Sequence, residues 1–330
     1  MNQRDNGRSL AHICFATVLL LVCTALLNAC GGSTSVQTAS PITSTAAMPV
    51  SPPPASIGEA SFDQLRDLAV TPEGTLWAAT GEGLMRLQGE AWECVLEDTE
   101  VNILTGAPDG SLWVGVGCQV QRFDGDAWET VFPCGEYLPR GKVLDIEFTP
   151  SGAVWIANGF GLASFDGQEW TTYDRLINSL VVAPDGALWV NGWEGTQGSF
   201  FVARFDGGKW TTFKGAHSFP GGFLVGAVTP DGLLWGTVPE GRLASFDGLS
   251  WGDEGSWTLY SSADGLALDE VLTMAVAPDG ALWVGTTGGA ARFDGTWTAY
   301  PTGHVVRAIA FGPQGEVWLE TTVIHPAGAE

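Results

Sequence analysis

Three observations predict an all-β fold, a β-propeller of four-stranded antiparallel blades. First, a phrase of the form Pro-x-Gly-x-apolar-Trp recurs along the chain. It aligns Trp77, Trp113, Trp155, Trp189, Trp235, Trp283 and Trp318 in one column, with spacings of 36, 42, 34, 46, 48 and 35 residues. Units of this length suit propeller blades and are too long for leucine-rich repeats. Second, each full unit holds four short strand-like runs separated by Gly-containing turns, the pattern of an antiparallel meander. Third, a second aromatic column, Trp92, Trp128, Trp170, Trp210, Trp257 and Trp297, marks the last run of six units.

The sixth unit shows the elements in order. The apolar run Val271–Ala277 leads into the turn Pro278-Asp279-Gly280, and Ala281–Thr286 returns as a second strand. Gly288-Gly289 turns the chain again, Ala290–Phe293 is the third strand, and Asp294-Gly295 introduces the fourth, Trp297–Tyr300. The Asp-Gly pairs supply the positive φ that tight hairpins need, at Asp109-Gly110, Asp185-Gly186, Asp231-Gly232 and Asp279-Gly280. A second set, Asp124-Gly125, Asp166-Gly167, Asp206-Gly207, Asp247-Gly248 and Asp294-Gly295, plays the same part later in the unit. Most aspartates are therefore turn formers. The regular Trp columns read as the surfaces that pack one blade on the next, rather than as a row for stacking carbohydrate.

The last unit is short, because Val305–Phe311 and Glu316–Thr322 leave too few residues for two further strands and Pro326 cannot donate to a ladder. The expectation is a seven-bladed ring whose final blade has two or three strands, with Ser56–Phe62 as candidates to complete it. A six-bladed ring is the alternative.

Ahead of the propeller, assigned to 57–330, the chain changes character. Residues 1–29 carry Arg4 and Arg8, then the apolar run Ile13–Leu27, which is short for a bilayer span and reads as a secretory signal. Leu27-Asn28-Ala29-Cys30 resembles the cleavage site of bacterial lipoproteins, in which the Cys becomes the acylated N-terminus. That resemblance makes Cys30 the lipidation site and the protein an exported one, anchored to the cell membrane or outer envelope. Residues 30–56 then form a Ser/Thr/Pro tether with no charge and no aromatic side chain, unable to bury a core.

The formal net charge is −23, from 14 basic and 37 acidic residues. Nucleic acid is a poor partner for such a chain, since phosphate binding requires clustered Lys and Arg. Three of the six cysteines, Cys94, Cys118 and Cys134, lie in the propeller. Cys118 falls in the second unit's connection between strands two and three, and Cys134 in the connection leaving that unit. Both therefore sit at one mouth of the ring, where a disulfide is possible. Cys94, two residues after Trp92, is expected to point into the core and stay reduced.

Read together, "ADGLALDEVLTMAVAPDGALWVGTTGGAARFDG" and its copies resemble the two-component regulator propeller repeat, found in sensor ectodomains and in secreted or lipid-anchored bacterial proteins. The resemblance covers about residues 62–325 and implies a fold, not a reaction. The chain shows no kinase or DNA-binding region, so a signalling role requires a separate kinase. There is a more distant similarity to streptogramin lyase propellers, whose elimination uses His and Glu with a divalent metal. The histidines His217, His304 and His325 come from different units and form no matching arrangement. No catalytic residue, cofactor or metal site is assigned.

Function is expected where the repeat fails. The connections between strands two and three, and between successive units, share one mouth of the ring. There they vary most: Asn191–Ser199 with Trp193, Val131–Lys142 with Tyr137 and Arg140, Lys214–Gly222 with His217, and the loop before Val305 with His304. Irregular, aromatic-bearing loops on a rigid ring mark a binding surface. Trp193, Tyr137, Arg140 and His217 are the candidate contacts for a small molecule, a glycan or a protein. Alternate residues of the first strands are mostly small, as a narrow central channel requires, with Asp67, Asp145 and Glu147 as acidic exceptions. Carboxylates suit Ca²⁺ or Mg²⁺, but no ligand-spaced loop accompanies these.

Overall fold

A computed structural model of the chain describes residues 37–38, 55–56, 65–81, 83–89, 91–194, 199–214, 222–247, 257–266, 270–313 and 315–319. Residues 1–29, Cys30, most of the tether, His217, Trp251 and His325 lie outside the described residues.

Six four-stranded antiparallel sheets follow one another, each with strands A to D in chain order. Blade 1 comprises Leu65–Val70, Leu76–Thr80, Gly83–Gln88 and Ala91–Glu97; blade 2 comprises Val101–Gly106, Leu112–Val116, Gln119–Phe123 and Trp128–Phe132. Blade 3 is Asp145–Phe148, Val154–Ala157, Leu162–Phe165 and Trp170–Tyr173, and blade 4 is Leu176–Val182, Leu188–Glu194, Ser199–Asp206 and Lys209–Lys214. Blade 5 is Leu224–Val228, Leu233–Val238, Arg242–Asp247 and Trp257–Tyr260, and blade 6 is Val271–Val276, Leu282–Thr286, Gly289–Phe293 and Trp297–Pro301.

The seventh position holds a partial sheet of two antiparallel strands, Ile309–Phe311 and Val317–Leu319. Ala55–Ser56 adds to its edge in parallel, so the N-terminal side does reach the last blade, at the start of the expected segment. Gln37–Thr38 likewise runs parallel to strand D of blade 5.

Ring closure is visible in the packing. Among the described residues, a cluster of buried side chains fills each gap between successive blades. Ala277, Trp283 and Ala290 of blade 6 pack on Val306, Ile309 and Leu319 at the seventh position, and Ala308 and Ala310 pack on Leu65, Leu68, Leu76 and Ala78 of blade 1. Each fully buried Leu or Ile contributes roughly 1.5–3 kcal/mol, so the interblade gaps dominate stability.

The repeated phrase has a mechanical account. In the A–B turns the glycine alone takes positive φ, as at Gly110 (90°) and Gly280 (87°), while the preceding aspartate accepts a backbone N–H two residues on. The first-column Trp of blades 1 to 6 are buried, and each second-column Trp lies half-buried on strand D. There Trp128, Trp170, Trp210, Trp257 and Trp297 pair with Phe123, Phe165, Phe205, Phe246 and Phe293 of strand C. In four blades an Arg on strand C stands opposite the buried Trp: Arg86, Arg122, Arg204 and Arg292. Arg204 bridges Asp185 (2.8 Å) and Asp206 (2.6 Å), and Arg292 bridges Asp279 and Asp294, tying A–B turn to C–D turn. Exposed pairs of this kind contribute little each, but they assign the repeated aspartates to scaffold.

Cys94 departs from its expected position. It is an exposed free thiol on the outermost strand of blade 1, on the same face as Trp92; the ladder bulges just after it, between Cys94 and Leu96, and Val95 and Leu96 make the core contacts. Partial burial, with Glu97 and Asp98 nearby, raises its pKa and keeps the thiol protonated.

Candidate functional site

The loop-bearing face carries the B–C and D–A connections. Here the described residues of the expected loop Asn191–Ser199 belong to strands: B of blade 4 extends to Glu194 and C starts at Ser199. Asn191 is fully buried, its carboxamide oxygen accepting from the Ser179 hydroxyl and from the Val225 N–H (3.0 Å) of blade 5. A Cβ on Gly192 would collide with the Leu176 carbonyl, so glycine permits the close approach of strand A. Trp193 follows, paired with Leu176 across the ladder and edge-on to Phe200 at 5.6 Å.

Trp193 has exposed company. Among the described residues the large exposed hydrophobics are Phe160, Leu176, Trp193, Leu224 and Leu272, 39% to 54% exposed. Phe160 lies in the B–C turn of blade 3, Leu176, Leu224 and Leu272 near the starts of the A strands of blades 4, 5 and 6, and Trp193 near the end of strand B in blade 4. All five therefore occupy the same face, on four successive blades. Leu224 and Leu272 stand six residues before their turn prolines, where four of the other five units place Arg66, Asn102, Asn178 and Arg307; the fifth has Leu144, which is partly buried.

The other expected contacts divide. Tyr137 is half-buried, stacked on Trp170 at 5.2 Å and tilted against Phe132, so its ring serves the gap between blades 2 and 3. Arg140 is exposed and has no ion-pair partner among the described residues. His304 lies in the connection into the seventh position, its backbone bonded to the Thr302 hydroxyl.

The structure joins Cys118 to Cys134, with Cα atoms 5.0 Å apart and a separation of 16 residues. The bridge pins the loop holding Tyr137 and Arg140 to blade 2. Cys118→Ser is expected to lower stability by roughly 2–3 kcal/mol in denaturant titration. Alkylation of the unreduced ring, residues 57–330, should label Cys94 alone; a labelled Cys134 would show the bridge unformed.

At the centre of the ring, two of the three acids hold neighbouring blades together. Asp67 accepts the N–H of Leu68 (2.9 Å) on its own strand and of Leu104 (3.0 Å) on blade 2. Asp145 repeats the device with Ile146 (3.0 Å) and with Leu180 (3.2 Å) on blade 4. Burial pushes the pKa of each up to about 7 despite those amide donors, and the charge of Asp67 adds to the effect at Asp145. Glu147 has no hydrogen-bond partner among the described residues. Burial first, then Asp145 and Asp67, push its pKa well above the usual range. The described residues contain no group of three or more His, Cys, Asp or Glu arranged to hold a metal ion.

Glu147 lines a cavity of about 420 Å³ at the opposite end of the channel, among the A–B turns. Its rim includes Pro72, Pro108, Pro278 and Pro313, with Phe148 and Phe311 beside them. The sequence predicts a binding mouth at the loop end alone. This second opening depends on how turns of blades 1, 2, 6 and 7 converge when the ring closes.

The architecture is that of a β-propeller with exposed apolar residues gathered on one face of blades 3 to 6 and carboxylates in its channel. No protein-family model matches the chain, and no curated protein sequence does. Solved structures share the fold at low identity. Virginiamycin B lyase from Staphylococcus aureus is 15% identical with a TM-score of 0.60, over 80% of this chain and 93% of that one. The extracellular domain of a hybrid two-component system from B. thetaiotaomicron is 15% identical with a TM-score of 0.58, over 79% of this chain and 39% of that one. YCF48 from Cyanidioschyzon merolae is 17% identical with a TM-score of 0.57, over 83% of this chain and 98% of that one. At these identities the likeness is one of fold.

Proposed function

We infer that the chain is an exported binding propeller of the cell envelope, held by lipid on Cys30, which recognises a protein or small-molecule partner through its B–C and D–A face. The observation that carries this is the one-sided distribution of Phe160, Leu176, Trp193, Leu224 and Leu272. Exposed apolar side chains gathered on one face mark interaction sites, whereas scattered ones need no explanation. Trp193 is the central contact, Arg140 is a charged one beside the disulfide loop, and His217 remains a candidate outside the described residues. Tyr137 shapes the surface from beneath.

A sensory version of the same reading, with a separate kinase receiving the signal, is supported by the shared fold of the B. thetaiotaomicron ectodomain. A lyase reading rests on fold likeness alone.

Thermal-shift screening of candidate ligands is the first test, since whatever binds the native ring raises its melting temperature. Trp193→Ala should weaken a partner so found by about tenfold or more. Its own stability should change by less than about 1 kcal/mol, as for an exposed side chain. Undiminished binding by a Trp193→Ala/Leu272→Ser variant would remove this face from the reading. Cys30→Ser should shift the protein from the detergent-extracted to the soluble fraction; full retention in membranes would remove the anchor.

A further inference from the structure

The cavity at the A–B end of the channel is independent of the loop face and carries its own chemistry. We propose that it binds a small organic cation with an apolar body, an alkyl- or arylammonium ion, whose ammonium group pairs with the Glu147 carboxylate.

The volume, about 420 Å³, falls within the range of small-molecule sites. Its proline rings, with Val70, Phe148 and Phe311, offer apolar surface for a hydrocarbon body, and Thr71 and Thr105 add hydroxyls to the wall. Glu147 supplies the polar point of recognition. It stands opposite the buried Trp155, in a column otherwise occupied by Ala69, Thr105, Val181, Ala227, Ala275 and Ala310. These neighbours are small or uncharged, so the carboxylate meets no competing side chain of its own row.

The contrast with the deeper acids gives the inference its direction. Asp67 and Asp145 each spend both carboxylate oxygens on backbone amides. Glu147 receives no such donor among the described residues, and the charges acting on it are Asp145, on its own strand, and Asp67, on blade 1. A partly buried carboxylate with two acids near it and no cation acting on it lacks a counter-charge, which a ligand ammonium would provide. A divalent metal ion fits less well. It requires several oxygen ligands, whereas the lining holds a single carboxylate, Glu147, and the deeper carboxylates are already engaged. The net charge of −23 draws cations toward the ring from a distance.

Because burial and its acidic neighbours favour the protonated form of Glu147, pairing with an ammonium near neutral pH would expel a proton. This gives the site a signature that simple apolar binding lacks.

Calorimetric titration of the full chain at about pH 7 tests the proposal, with 2-phenylethylammonium as probe and 2-phenylethanol and phenylacetate as neutral and anionic isosteres. The expected result is binding of the amine alone, with heats that vary with the ionisation enthalpy of the buffer. Glu147→Gln should weaken the amine about tenfold or more, and Trp193→Ala should leave it unchanged. Should Glu147→Gln fold poorly by its melting curve, Thr105→Met, which fills the cavity wall, replaces it and should likewise weaken binding. Equal affinity for the alcohol, undiminished binding by the cavity variant that folds, loss in Trp193→Ala, or no heat up to about 10 mM amine would each overturn the proposal.

Discussion

Trp235→Ala is expected to destabilise the ring by roughly 3–5 kcal/mol, the usual cost of removing a buried aromatic side chain. For a domain of this size that corresponds to a fall in melting temperature of about 10 °C. Trp235 is fully buried, and its ring meets Tyr260 at 5.2 Å and Phe293 at 5.1 Å, so one indole joins blade 5 to blade 6. Its Nε1 donates to the Thr229 hydroxyl at 3.0 Å, and truncation leaves that hydroxyl without its indole donor. Trp193 provides the control, because it is the same residue type at an exposed position with one edge-on ring contact in the structure. Differential scanning calorimetry of the two variants decides the matter. Equal losses would mean that the columns do not separate scaffold from surface.

That separation was readable because a column is a property of period. Seven prolines, glycines and tryptophans in register imply repeated hairpins before any contact is known. The first-column Trp of blades 1 to 6 are buried accordingly, as the repeat implies. What escaped sequence reading depends on local departures from period or on closure. Counting two from Trp92 predicts an inward Cys94; the ladder keeps the two on one face, but that outer strand leaves the thiol exposed and the bulge beyond it gives the core contacts to Val95 and Leu96. Asn191 sits in a stretch that reads as loop, yet its carboxamide is held between blades 4 and 5. Tyr137 reads as a loop aromatic, because nothing in the sequence shows its neighbour across the blade gap, Trp170, 33 residues away. The exposed apolar residues have a partial sign in the sequence: Leu224 and Leu272 stand where four units carry Arg or Asn, although Leu144 holds the same offset and is partly buried. The cavity at Glu147 had none, since its wall is assembled from turns that meet only when the ring closes.

The acids of the channel make the ring less stable as pH rises, and the sign follows from their burial. In the unfolded chain Asp and Glu titrate near pH 4, whereas in the ring Asp67 and Asp145 are pushed up to about 7 and Glu147 is raised as well. Between those limits the native ring holds more protons than the unfolded chain, so unfolding free energy falls with pH across the window and levels off above it. A tenfold change in one acidity constant is worth about 1.4 kcal/mol, and channel water screens part of it, so a loss on the order of 3 kcal/mol between pH 4.5 and pH 8 is expected. The turn aspartates oppose this, since Arg292 holds Asp294 low and stabilises the ionised form, but that contribution is already complete near pH 5. Glu147→Gln separates the two. Having no hydrogen bond among the described residues to lose, it should raise the melting temperature at pH 8 and leave it unchanged at pH 4.5. Asp67→Asn should gain less, because an amide cannot accept at both positions from Leu68 and Leu104. A melting temperature that rises from pH 5 to pH 8 in the parent chain would show that the three carboxylates titrate normally and that the channel is open to bulk water.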